Sequence, residues 1–211
     1  MSDLGGLIGG FQSFQREYVS DTSGRYRALA EYGPHSKILM IACCDSRADP
    51  AIITNASVGD LMVIRNIANL VPRYDPEGPF QETQAALDFA VCYLNIEHII
   101  VMGHSRCGGI RSLLTRLLDD TEPRHSLEKW TSVAEPAARE VLQSMPEEGL
   151  DEQACACSRK ALIASLANLD SYPWVAERSA SGRLQVHGWY FNLADGALQC
   201  YDPETGFFEN L

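Results

Sequence analysis

The stretch Lys37-Ile38-Leu39-Met40-Ile41-Ala42-Cys43-Cys44-Asp45-Ser46-Arg47 decides how this chain folds. From Ile38 to Ala42 it is continuously apolar and short, the pattern of a central parallel strand covered on both faces. Leu61 to Ile64 and Ile99 to Met102 repeat that pattern. Between them, Gln81 to Leu94 carries Leu87, Ala90, Val91 and Leu94 at helical spacing, and after the third run Ile110, Leu113, Leu114, Leu117 and Leu118 do the same. Strands alternating with helices imply right-handed crossovers and a parallel sheet with helices on both sides.

Asp151 to Leu169 reads as a helix with acids in its first turn and a stripe of Leu162, Leu166 and Leu169, ended by Asp170 to Pro173. Pro123 to Met145 is expected to be helical in its second half, around Val141 and Leu142. Leu184 to Phe191 and Ala197 to Tyr201 flank Asp195-Gly196, a hairpin signal. Phe11 to Tyr32 reads as one helix with more aromatics than a solvated helix needs, an arm packed on a core or a neighbouring subunit. The expectation is an α/β fold: a mostly parallel central sheet of four strands plus an antiparallel edge strand, helices on both faces, and an N-terminal helical arm. Residues 1–35 form the arm and residues 36–211 the α/β domain, a single domain overall.

A length of 211 residues suits one domain, and the net charge of −11 argues against nucleic acid and against anionic membrane surfaces. No apolar run reaches the roughly twenty residues that a bilayer requires. Asp3 stands where a secretory signal carries positive charge. Seven cysteines, an odd number spread through the chain, do not read as a disulfide framework. Reduced thiols fit a cytoplasmic protein.

Two clusters carry chemistry. Cys43 follows the first strand, and His104-Ser105-Arg106-Cys107-Gly108-Gly109 follows the third. In open α/β sheets the ligand crevice lies outside those carboxyl ends, so neighbouring strands bring the clusters together. Two thiols and an imidazole are three good zinc ligands, and a tetrahedral ion held by three groups keeps one corner open. Singly, a buried cysteine is packing, an isolated histidine is a satisfied polar group, and Asp-Ser-Arg is a helix cap with a local ion pair. Together at two strand ends, they point to a metal. A zinc-stabilised binding module is the non-enzymatic alternative, although closed structural sites normally use four protein ligands.

The residues Cys43, Asp45, Ser46 and Arg47 followed by His104 and Cys107 resemble the hallmark of the β-class carbonic anhydrases. The likeness extends to Gly59-Asp60, Arg65 through Pro72, Asn168-Leu169 and His187 through Tyr190. The resemblance implies one zinc ion (Zn2+) per chain on Cys43, His104 and Cys107, and reversible hydration of CO2 to bicarbonate and a proton by a zinc-bound hydroxide. It makes Asp45 either the group that orients the hydroxide or, in an inactive state, a fourth metal ligand, with Arg47 holding Asp45 in place. It also implies a homodimer or dimer of dimers, and an apolar pocket wall drawn from Phe89, Val91, Ile67 and Ala68. Carbon disulfide or carbonyl sulfide hydrolysis by the same site is the alternative reaction. Many members carry Gly-Gln-x-Pro before the first strand, where this chain has Gly33-Pro34-His35-Ser36, so His35 is either a substitute donor, a proton shuttle or a surface residue. A branch with a regulatory bicarbonate has Trp and Gly where this chain has Met40 and Ala42, and no such switch is expected. Cys44, Cys92 and Cys200 read as packing, Cys155 and Cys157 diverge on their helix, and His187 reads as a strand residue of the core sheet.

Overall fold

The computed structural model describes residues 3–21, 24–33 and 35–211. The apolar runs form β1 (Ile38–Cys43), β2 (Leu61–Asn66) and β3 (His98–His104), joined in one sheet by β4 (Gln185–Phe191), β5 (Leu198–Tyr201) and β6 (Phe208–Asn210). Strand order is β2-β1-β3-β4-β5-β6. The first four are mutually parallel, while β5 and β6 add as antiparallel strands. The edge therefore holds one antiparallel strand more than the sequence suggested. Asp202 makes the second turn by accepting bonds from the Glu204 amide and the Thr205 hydroxyl, and Phe208 then packs on Tyr190 and Tyr201. A strand of three residues carries too little periodicity to be read.

The crossovers explain the layers. β1 leads to β2 through α3 (Pro50–Thr54), and β2 leads back past β1 to β3 through α4 (Gln81–Asp88). From β3 the chain runs through α5 (Gly108–Leu118), α6 (Ser126–Thr131), α7 (Glu135–Ser144), α8 (Leu150–Leu169) and α9 (Pro173–Ala180) to β4. Right-handed connections place α3 on one face and α4 to α9 on the other. Leu39, Ile41, Ile99 and Val101 accordingly pack on Leu87, Ala90, Leu162, Leu169 and Val175. The alternate residues Met40, Ala42, Ile100 and Met102 face Ile53 of α3, with Trp189 and Leu198. A side chain at Gly188 would meet Leu162 and Leu166 at 2.8 Å, so glycine there lets α8 lie directly on β4.

Some expected elements are divided or new. The arm is two helices, α1 (Leu4–Phe14), continued by a π turn over Gln15–Val19, and α2 (Arg25–Tyr32). Gly24, at φ +70°, starts α2 after a break at Ser20 and Asp21, and Asp3 caps α1 through the Gly6 amide. Residues 123–145 carry helix in both halves, as α6 and α7. The short α3 and the Pro173-initiated α9 had no readable periodicity of their own. Cys92, expected in the core, is exposed, because the turn that follows α4 points it outward, and Cys200 is half-buried.

Candidate metal centre

β1 and β3 are hydrogen-bonded neighbours, so their carboxyl ends deliver Cys43 and His104 to the same place. Cys107 arrives on the turn before α5 and occupies that helix's N-cap. All three side chains are buried, with Cys43 4% and His104 and Cys107 each 1% exposed, and their donor atoms lie within 4.8 Å of one another.

Two observations show that the group fits zinc. The sulfurs of Cys43 and Cys107 are 3.9 Å apart, against about 3.8 Å for two thiolates on a tetrahedral zinc ion. His104 Nδ1 lies 2.8 Å from the Ser105 carbonyl, which can only accept, so that nitrogen carries the proton. Nε2 is left buried with its lone pair and no hydrogen-bond partner. A backbone carbonyl fixing one imidazole nitrogen so that the other can bind is the usual outer shell of a metal histidine. Ser105 is itself tied to β4 through Phe191, Asn192 and Leu193.

The electrostatics agree. The Cys107 thiol beside Cys43, with help from nearby His104 and the amides of Asp45 and Ala68, holds the Cys43 thiol well below the usual range against the opposing effect of burial. Cys107 is pushed up, because its bond to Cys43 and burial both favour the thiol. The protein alone thus tolerates one thiolate in this pocket, and a divalent cation is what would stabilise both. For His104 burial favours the neutral ring, but the nearby Cys43 sulfur and its charge outweigh that and raise its pKa.

Asp45 lies on the short segment leaving β1. Its Oδ1 accepts from the Arg47 amide at 2.9 Å and Nε at 3.0 Å, and its Oδ2 from Nη2 at 2.7 Å. These bonds hold the carboxyl well below the usual range against partial burial. The sequence left Asp45 as orienter or metal ligand; here both oxygens are held by Arg47.

In the sequence Arg65 stands out only as the first residue of the Arg65-to-Pro72 motif. Its guanidinium donates to the Cys43 carbonyl at 2.7 Å, the Asp45 carbonyl at 3.0 Å and the Asp49 carboxylate at 2.7 Å, and Asp49 caps α3. One side chain therefore ties down the whole segment between the first ligand and α3. Beside it, Ala68 and Asn69 sit at φ +64° and +49°, and the Ala68 amide donates to Cys43 Sγ at 3.3 Å. Left-handed non-glycine residues cost energy unless their surroundings enforce them. The Asn66 side chain does so by bonding both the amide and the carbonyl of Leu70. Gly109 leaves the room, since a side chain there would meet Ile67 Cγ2 at 2.4 Å.

Of the expected pocket wall, Ala68 touches the site, and Ile67 lines an adjoining cleft of about 500 Å3 with Asn66 and Trp130. Val91 is in the core beneath the sheet instead, and Phe89 is on the outside, stacked on Tyr93. His35 is exposed before the amino end of β1, opposite the end that carries Cys43, and Pro34 lies outside the described residues. His187 pairs with His98 across β3 and β4 at 3.2 Å, away from the three ligands.

A family model described as carbonic anhydrase matches residues 38–198. Beta carbonic anhydrase 3 of Arabidopsis thaliana is 34% identical over 92% of this chain and 74% of its own length. The chloroplastic beta carbonic anhydrase 5 of the same plant is 38% identical over 88% of this chain, which spans only 60% of that relative. Among solved structures, the β-carbonic anhydrase CcaA superposes with a TM-score of 0.89 at 33% identity over 100% of both chains. One of two tetrameric β-carbonic anhydrases from Sordaria macrospora gives 0.80 at 26% identity over 92% of this chain and 94% of its own. With its ligand triad at the ends of neighbouring strands, and with these matches across most of its length, the chain belongs to the β-carbonic anhydrase family.

Proposed function

We propose that the chain catalyses the reversible hydration of carbon dioxide to bicarbonate and a proton, with one zinc ion held by Cys43, His104 and Cys107. The observation that carries this reading is a buried three-donor group, one ligand short of a closed tetrahedron, beside a carboxylate kept ionised by an arginine fork. Zinc bound there supplies Lewis acidity and a water made acidic near neutral pH. Asp45 would accept a hydrogen bond from the attacking hydroxyl and so turn its lone pair toward the substrate carbon. Arg47 keeps Asp45 charged and fixes its plane, a bidentate task suited to guanidinium. Arg65 holds the backbone on which both Cys43 and Asp45 sit. Burial among Ala68, Leu70 and Ile110 keeps bulk water from the ligands.

The test is zinc content per chain together with stopped-flow CO2 hydration across pH, run in parallel with sulfide release from carbon disulfide and carbonyl sulfide. The expected result is one zinc per chain and hydration that rises from about pH 7 to about pH 9, because two thiolates offset the ion's charge and leave its water less acidic. A folded, zinc-loaded protein without hydration activity at alkaline pH would overturn the proposal, and sulfide release alone would move the activity to heterocumulene hydrolysis.

We further infer a homodimer or dimer of dimers. Leu4, Leu7, Ile8 and Phe11 are each more than half exposed at helical spacing on α1, an apolar stripe that one chain leaves uncovered. An odd number of cysteines spread along the chain, two of them assigned to zinc, supports a reducing compartment such as the cytoplasm. Among the described residues no helix is long and apolar enough to cross a membrane.

A further inference from the structure

The peptide group between Ile67 and Ala68 has both of its polar atoms engaged. Its N–H donates to Cys43 Sγ at 3.3 Å, and its C=O accepts from the Trp130 indole Nε1 at 2.7 Å. We propose that Trp130 is a positioning residue of the metal centre, tuning the Cys43 sulfur through this one peptide plane. The inference rests on the reading of Cys43 as a zinc ligand.

Three features carry it. A donor on a peptide oxygen draws electron density toward that oxygen and strengthens the N–H as a donor, the cooperative effect expected of hydrogen bonds in series. The sulfur end of the relay is dry, with Ala68 1% and Cys43 4% exposed, while the Trp130–Ile67 bond lies at its outer, exposed end. The geometry is also enforced, since Ala68 takes a left-handed conformation and aims its amide at the sulfur only while its peptide is held there. Trp130 is itself braced. Its ring meets Phe80 edge-on at 5.1 Å, and Glu128 closes the first turn of α6 on the Arg124 and His125 amides. A sulfur that accepts a strong N–H bond gives less charge to a bound metal, which leaves the metal the stronger Lewis acid. Trp130 thereby acts on Cys43 from the other side of a peptide bond, without touching it.

The test removes the indole N–H and keeps the ring. In Trp130→Phe, the Ala68 amide proton, followed by NMR of 15N-alanine-labelled zinc protein, should move upfield, and the thiolate-to-metal charge-transfer band of the cobalt(II)-substituted protein should shift to the red. Global incorporation of 5-fluorotryptophan, a stronger N–H donor, should move both signals the opposite way, and should leave them unmoved in the Trp130→Phe background. Unchanged amide and charge-transfer signals in folded Trp130→Phe overturn the proposal. Should that variant not fold, absence of any shift on fluorination overturns it equally. Neither readout depends on turnover, so a protein inactive toward CO2 that shows both shifts would refute the proposed function and leave the Trp130 relay standing.

Discussion

Asp45 stands two residues from a metal ligand and takes its protonation state from a third residue. Its carboxylate receives three bonds from Arg47, one of them from the backbone, and stays ionised although it is largely shielded. Asp45→Asn puts an amide donor against guanidinium donors and breaks the fork. CO2 hydration should then fall on the order of 10²- to 10³-fold, the loss typical of removing one oriented electrostatic partner, while zinc content stays near one per chain. Cys107→Ala leaves only two protein donors and should lose zinc and activity together. Metal analysis and stopped-flow rates on the same preparations check both, and a fully active Asp45→Asn protein would remove Asp45 from its assigned role. Cys43 and His104 end strands whose apolar runs are plain, and Asp45, Arg47 and Cys107 stand within four residues of those ends, which is why all five were legible in the sequence as candidates. Arg65 and Trp130 were not, because what they hold is the backbone of other segments, and nothing in their own surroundings in the chain announces those partners.

Among the elements, α5 and α7 are joined by a charge that the core nearly encloses. Arg116, its side chain 7% exposed, donates to Glu135 at 2.5 Å and to the Thr121 carbonyl at 3.0 Å, while Glu135 also receives Arg139. Burial works to raise the Glu135 pKa, but the bonds from Arg139 and Arg116 outweigh it and lower the value. A carboxyl lowered on folding adds stability above its unfolded pKa of about 4.3, and that gain is lost as pH falls through the lower folded value. Glu135→Gln, which leaves Arg116 poorly paired, should therefore cost roughly 1–3 kcal/mol at neutral pH. The difference from wild type should shrink as pH drops below about 4. Urea unfolding at the two pH values tests this, and a gap that widened in acid would contradict it. The helices α5 and α8 were readable from their periodicity, and β1, β2 and β3 from their short continuous apolar runs. The break in the arm and the added strand β6 depend on single turns, at Gly24 and at Asp202, whose signals are local and short.

For the molecule as a whole, the uncovered feature is the arm. None of α1 is buried, and its apolar residues share one stripe, the face on which the proposed oligomer would pack. Deleting residues 4–14 should shift sedimentation equilibrium from an oligomer toward the monomer, and an oligomer unchanged by the deletion would place its interface elsewhere. Read in order, the residues already contain the strand and helix periods, the three soft-to-borderline metal donors and the acid–arginine pair, because these depend only on side-chain type and on neighbours a few positions away. Which strands lie side by side, which imidazole nitrogen is left free and which distant carbonyl Arg65 or Trp130 engages could be settled only in three dimensions. Hydrogen bonds act over about 3 Å in space with no regard for separation along the chain. Until β1 and β3 pair, Cys43 and His104 belong to unrelated segments, and their meeting is a property of the folded sheet.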